Sequence, residues 1–131
     1  MPELSFRLDM AGLPIDFDLI GSLAKKYKVF KHACSNRILQ FTHTPVIIIT
    51  CNQFRVQTLQ YSRTAATYIK PLTPISGGTL ARKIIINHLL QRNFQPANPT
   101  HWLKREPAVD TLYECTHGDF TTGRYMIILQ W

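Results

Sequence analysis

The sequence predicts an α+β fold in a single domain, residues 1–131, with a mainly antiparallel curved sheet packed by two helices at about 16–27 and 79–92. Three observations carry this. Two segments repeat apolar residues at helical spacing. Most of the remainder either alternates apolar and polar residues or is β-branched. The strand-like segments follow one another with short breaks rather than alternating with helices, which is the order of an antiparallel sheet. A chain of 131 residues buries enough surface for one core without disulfide staples.

Leu4, Phe6, Leu8 and Met10 alternate with polar residues, so 4–10 reads as a first strand, closed by Gly12 and Pro14. Asp16 then suits a helix N-cap, with Asp18 in the first turn and Lys25 and Lys26 at the far end, matching the helix dipole. Phe17, Ile20, Leu23, Ala24 and Tyr27 supply its apolar stripe. Residues 28–34 and 37–43 flank Ser35-Asn36 and read as a hairpin. Val46 to Cys51 is apolar at consecutive positions, as in a central strand. Asn52-Gln53 turns the chain into a longer strand, 54–63, and a weaker one follows at 67–70. Pro71, Pro74, Gly77 and Gly78 mark a loop. In the second helix Ala81, Ile84, Ile85, His88 and Leu89 share a face, and the Pro96 to Pro99 stretch ends it. Three last strands are expected near 102–106, 111–117 and 124–131, with Gly118 and Gly123 framing the final turn.

The charge is unevenly placed. The net +7 comes from 15 Lys and Arg against 8 Asp and Glu, and between Leu19 and Arg105 there are 13 bases and no acid. The first 18 and the last 26 residues each carry one base and four acids. Folding alone does not demand a long stretch free of carboxylates, whereas a polyanion partner does favour one. The polar positions there are filled by uncharged groups such as Gln40, Asn52, Gln57 and Gln60, which hydrate a surface without repelling phosphate. Bases also neighbour aromatics, and aromatics can stack on exposed nucleobases.

These features point to nucleic acid, RNA or DNA, bound mostly through its phosphates. On the 54–63 strand, Arg55, Gln57, Leu59, Tyr61 and Arg63 are expected to share one face. Arg55, Arg63 and Lys70 would meet phosphate, Tyr61 would stack, and Gln57 would reach base or sugar. Lys25, Lys26, Lys28 and Lys31 form a second patch. A phosphate-binding loop is expected at Ser76, Gly77, Gly78 and Thr79, with Arg82 and Lys83 in the first helical turn, where acids are usual. Its spacing is not that of a P-loop.

The residues also offer other chemistry. His32 with Cys34, and Cys115 with His117, are each spaced to share a strand face and would form a Cys2His2 zinc set if those strands were neighbours. The spacing matches no common zinc motif, so neither metal nor cofactor is expected. Cys34 or Cys115 as nucleophile with His43, His88 or His101 as base, or a turn at His117-Gly118-Asp119, would suit a small nuclease or other enzyme on a phosphate-bearing substrate. No recognisable catalytic spacing supports that, and a binder is favoured over an enzyme. The alternative binder is a structural or oligomeric protein whose basic face meets an acidic partner. Tyr125, Ile127, Leu129 and Trp131 alternate to the last residue, which suggests self-association through the C-terminal strand. Three cysteines and no basic, apolar leader point to an intracellular, cytoplasmic setting, and no apolar run approaches a membrane span.

Overall fold

The computed structural model describes residues 3–71, 75, 78–87, 91–107, 111–119 and 121–131. The chain divides into two compact units, 1–42 and 43–131. The first is helical and the second holds the sheet, so the fold is α+β with an antiparallel sheet, as the sequence predicts.

The first unit contains α1 (Glu3–Met10), α2 (Phe17–Tyr27) and α3 (Lys31–Phe41). Of these, α2 is the helix expected at 16–27, capped by the Asp16 carboxylate, which accepts the Leu19 amide at 2.8 Å. The other two correct the sequence reading. The expected strand at 4–10 is α1: Phe6 is fully buried, while Leu4 and Leu8 are 71% and 67% exposed. On a strand all three would share a face. At 100° per residue Phe6 turns away from the other two. Glu3 and Arg7 form an i,i+4 ion pair at 3.3 Å, a helical spacing. The expected hairpin at 28–43 is α3, with Cys34, Ser35, Ile38 and Leu39 buried at helical intervals. Ser35 lies mid-helix and donates to the Lys31 carbonyl one turn back at 2.8 Å, so Ser35-Asn36 is not a turn.

The second unit is built on β1 (Val46–Asn52), β2 (Arg55–Tyr61), β3 (Gln91–Pro96), β4 (Tyr113–Asp119) and β5 (Arg124–Gln130), in the spatial order β2-β1-β5-β4-β3, every pairing antiparallel. The strands expected at 46–51, 54–63, 111–117 and 124–131 are present within a few residues. The weak strand at 67–70 is instead the end of a 3-10 helix, Arg63–Tyr68. The strand expected at 102–106 is preceded by a short helix, α5 (Pro99–Trp102), and none forms at 102–106. Asn98 caps α5, accepting the Thr100 amide at 3.0 Å, and Pro99 sits at its start, where its missing N–H costs nothing. The expected helix at 79–92 is α4 (Leu80–Asn87), and Gln91 and Arg92 already belong to β3.

One face of the sheet carries Ile47, Ile49, Cys51, Tyr125, Ile127 and Leu129. It is covered by Ala65 of the 3-10 helix, Ala81 and Ile85 of α4, Trp102 of α5, and Ile75, Leu103 and Leu112. On the opposite face Val46, Ile48, Cys115 and Ile128 are buried. Consecutive burial of Val46 to Ile49 and of Ile127 to Leu129 marks β1 and β5 as strands with both faces covered. β5 pairs with β1 on one side and β4 on the other, so the C-terminal strand is the middle of the sheet and not an open edge. Among the described residues, the edge strands of the sheet are β2 and β3. Among the described residues, no helix is long and apolar enough to cross a membrane.

Candidate nucleic-acid interface

The candidate strip on β2 is divided by a β-bulge. Thr58 lies opposite Thr50, and Val56 lies opposite Cys51, so Gln57 is the extra residue. Directly opposed residues share a face. Leu59 and Tyr61 therefore face with Ile49 and Ile47, whereas Arg55 faces with Asn52 on the other side. The expectation that Arg55, Gln57, Leu59 and Tyr61 share one face is corrected by this one inserted residue. Leu59 and Val56 both pack against the core, while Arg55, Gln57 and Tyr61 are exposed.

Beyond β2, Ser62 fixes where Arg63 emerges. Its hydroxyl accepts the Val46 amide at 3.0 Å and donates to the Thr44 carbonyl at 2.9 Å, and the residue is fully buried. Arg63 then opens the 3-10 helix on the surface, and Ala65 fills the core.

The clearest gathering of bases is one that sequence spacing did not assemble. The segment 67–70 runs beside 100–105. The Lys104 amide donates to the Tyr68 carbonyl at 2.9 Å, Arg105 Nη2 donates to Thr67 Oγ1 at 2.9 Å, and the Lys70 ammonium donates to the Thr100 carbonyl. The Arg105 guanidinium lies 4.5 Å from the centre of the Tyr68 ring, which meets the Trp131 ring edge-on at 5.1 Å. Trp102 and Leu103 are buried at 1% and 3%, and this anchor leaves Lys104 and Arg105 exposed directly after it. Arg105 thus lies over the Tyr68 ring, and Lys70 and Lys104 stand on the same two adjoining segments. The adjacency of Trp102 to Lys104 and Arg105 in sequence was the available signal. The pairing with 67–70 was not legible.

Among the described residues, Arg55, Arg63, Lys70, Lys83, Lys104 and Arg105 form no ion pair with an acid. In the first unit Lys25, Lys28 and Lys31 are exposed, and Lys26 pairs with Asp9 at 2.7 Å. That ammonium, with the Tyr27 hydroxyl, holds the Asp9 carboxyl below its usual range.

At the start of α4 the first-turn amide already has an anion. Glu114 of β4, 3% exposed, accepts from the Leu80 amide at 3.2 Å. Burial pushes its carboxyl up to about 6, while the Leu80 and Ala81 amides pull the other way. The Trp102 indole faces the same carboxylate short of hydrogen-bond geometry. Buried Thr79 accepts the Arg82 amide at 3.2 Å. Arg82 donates to the Ile75 carbonyl at 2.8 Å and lies 4.3 Å over the Phe54 ring, so its guanidinium is held within the fold. Gly78 lies against the His101 ring, which a Cβ would approach to 2.8 Å. Lys83 is exposed, and Ser76 and Gly77 lie outside the described residues.

The Cys2His2 set that the spacing allows loses its geometry at its first half. His32 and Cys34 stand on α3, where two-residue spacing turns them roughly 200° apart. Cys34 is buried and donates to the Ile20 carbonyl at 3.6 Å, whereas His32 is exposed. Among the described residues, no three His, Cys, Asp or Glu side chains gather where they could hold a metal. As nucleophiles the thiols are poorly placed: all three cysteines are buried, and burial raises the Cys34 thiol and pushes Cys51 up to about 11. His88 lies outside the described residues. His117 and Gly118 lie within β4 and not in a turn, with Gly118 against the Arg124 carbonyl and Tyr125.

No protein-family model matches the chain, and no curated protein matches it in sequence.

Proposed function

We propose that this protein binds nucleic acid through the exposed bases of its sheet-bearing unit, with most contacts to phosphate. The observation that carries the reading is the placement of Lys70, Lys104 and Arg105 on two segments that run side by side, 67–70 and 100–105, none of the three matched by an acid among the described residues. Arg55 and Arg63 are exposed at and just past the two ends of β2, and Lys25, Lys28 and Lys31 are exposed on the helical unit. Unmatched bases attract a polyanion by releasing its counterions.

The bulge changes the roles within the strip. Tyr61, 49% exposed, keeps the stacking role, but on the face of Leu59 and not that of Arg55. Gln57, the bulged residue, is exposed and suits a sugar or base contact. Because Glu114 answers the start of α4 and Arg82 is held by Ile75 and Phe54, phosphate contacts are assigned to β2 and the 67–70 segment, with Lys83 as an outlying base.

The test is fluorescence anisotropy with labelled single-stranded RNA, single-stranded DNA and duplex DNA at low salt. The protein should bind, and the triple variant Lys70→Ala, Lys104→Ala, Arg105→Ala should bind at least about tenfold more weakly. Equal affinity of the two proteins would contradict the assignment.

A further inference from the structure

We infer that the open edge of β2 is a docking strand for an extended, acidic peptide, which adds to the sheet beside β2 as a sixth strand. The inference shares Arg55, Gln57, Arg63 and Lys70 with the proposed nucleic-acid surface, but it rests on the backbone geometry of β2 and on the groove beside it.

Three observations converge on that edge. First, β2 is the terminal strand and among the described residues pairs with β1 alone, so one row of its backbone N–H and C=O groups is left unpaired by the sheet. Second, a groove of about 480 Å³ runs along it. Val56, Gln57, Thr58 and Leu59 line one side, and Ile69, Lys70 and Pro71 line the other. Consecutive side chains of a strand point to opposite faces. A groove bordered by four consecutive residues therefore opens along the strand's edge, where the backbone groups project. Third, the edge lacks the charged side chains and prolines that commonly block strand addition: Val56 to Gln60 contains no Lys, Glu or Pro. The opposite edge, β3, ends in Pro96, which has no N–H to offer.

The occupant follows from shape and charge. Four strand residues span about 13 Å, which suits a short extended segment. Val56 and Leu59 on one wall and Ile69 and Pro71 on the other offer apolar contact to its alternate side chains. Lys70 lies in the wall, and Arg55 and Arg63 stand at or just past the two ends of β2. No carboxylate occurs between Leu19 and Arg105 to repel an acidic segment. The bulge at Gln57 twists the edge locally, which disfavours pairing with a long flat strand of another copy more than with a short peptide.

The experiment uses the full chain and a labelled pool of peptides about six residues long, the usual length of a strand, with Glu at alternate positions and Val, Ile, Tyr or Phe between them. The pool should bind at least about tenfold more tightly than the same pool with Lys in place of Glu. Methylating alternate backbone nitrogens of the best peptide should abolish binding, because it removes the ladder donors while keeping the side chains. Amide resonances of Gln57 to Leu59 should shift on titration. The exposed, groove-filling substitution Gln57→Trp should weaken binding about tenfold without lowering thermal stability. No pool member binding more tightly than about 1 mM would overturn the inference. So would indifference to N-methylation, or shifts confined to other strands. Because these readouts use peptide and the triple variant of the bases uses oligonucleotide, either account can fail while the other stands.

Discussion

The Glu114 carboxylate accepts the Leu80 amide at 3.2 Å, joining the start of β4 to the first turn of α4. The pairing gives the helix its anion from within the chain. It also buries a titratable group, and burial pushes that carboxyl from 4.5 up to about 6. Between those two values the folded state holds a proton that the unfolded state has lost. The stability this group contributes is full below about pH 4.5 and is lost as pH rises through about 6. Relative to Glu114→Gln, which does not titrate, the native protein should lose about 2 kcal/mol between pH 4 and pH 7. Urea denaturation of both proteins across that range measures it, and parallel stability curves would refute the burial argument.

The helical character of the first ten residues has a paired test. Phe6→Ala removes a fully buried ring that meets Tyr27 at 5.4 Å and Phe41 at 6.0 Å, and should cost about 3–5 kcal/mol. Leu8→Ala removes a side chain that is 67% exposed and should change stability by no more than about 0.5 kcal/mol. Similar large losses at both positions, as a buried strand face would give, would contradict α1.

Two glycines should respond in opposite directions. A Cβ at Gly118 would lie 2.4 Å from the Arg124 carbonyl oxygen, so Gly118→Ala must shift the β4–β5 pairing and should cost about 1–3 kcal/mol. A Cβ at Gly21, inside α2, meets nothing within 4 Å. Gly21→Ala should stabilise the protein by about 0.5–1 kcal/mol through helix propensity. Thermal denaturation of the two variants distinguishes them by the sign of the change.

The three buried thiols should be inert in the native state. With the Cys51 thiol pushed up to about 11, about one molecule in a thousand carries the reactive thiolate at pH 8. A thiol-specific chromogenic reagent should react far more slowly with native protein than with protein in urea. One fast native thiol would reopen a nucleophilic role.

The elements that were legible in sequence are those with one strong local cause. The Asp16 cap and the Lys25-Lys26 end identify α2, and the unbroken apolar run from Val46 identifies β1. Errors arose where two periods fit the same residues. Leu4, Phe6, Leu8 and Met10 alternate, yet the Glu3–Arg7 spacing carried the helical signal. β3 was hidden because Gln91 to Pro96 is polar and ends in proline, and it is a strand by virtue of pairing with β4. In the candidate interface, the bases Arg55, Arg63 and Lys70 were readable as charge. Their grouping was not, because a single bulge at Gln57 reverses which side of the sheet each strand residue faces. Likewise the placement of Lys70 beside the segment of Lys104 and Arg105 depends on hydrogen bonds between residues thirty or more positions apart.

The most direct test of the central claim is the salt dependence of nucleic-acid affinity. Plotted as the logarithm of the binding constant against the logarithm of salt concentration, the native protein on single-stranded RNA should give a steep negative slope, about −0.7 for each phosphate contact. Replacing Lys70, Lys104 and Arg105 together by Ala should make that slope shallower by about 2, the loss of three contacts. An unchanged slope, or no measurable binding at about 50 mM salt, would contradict the account.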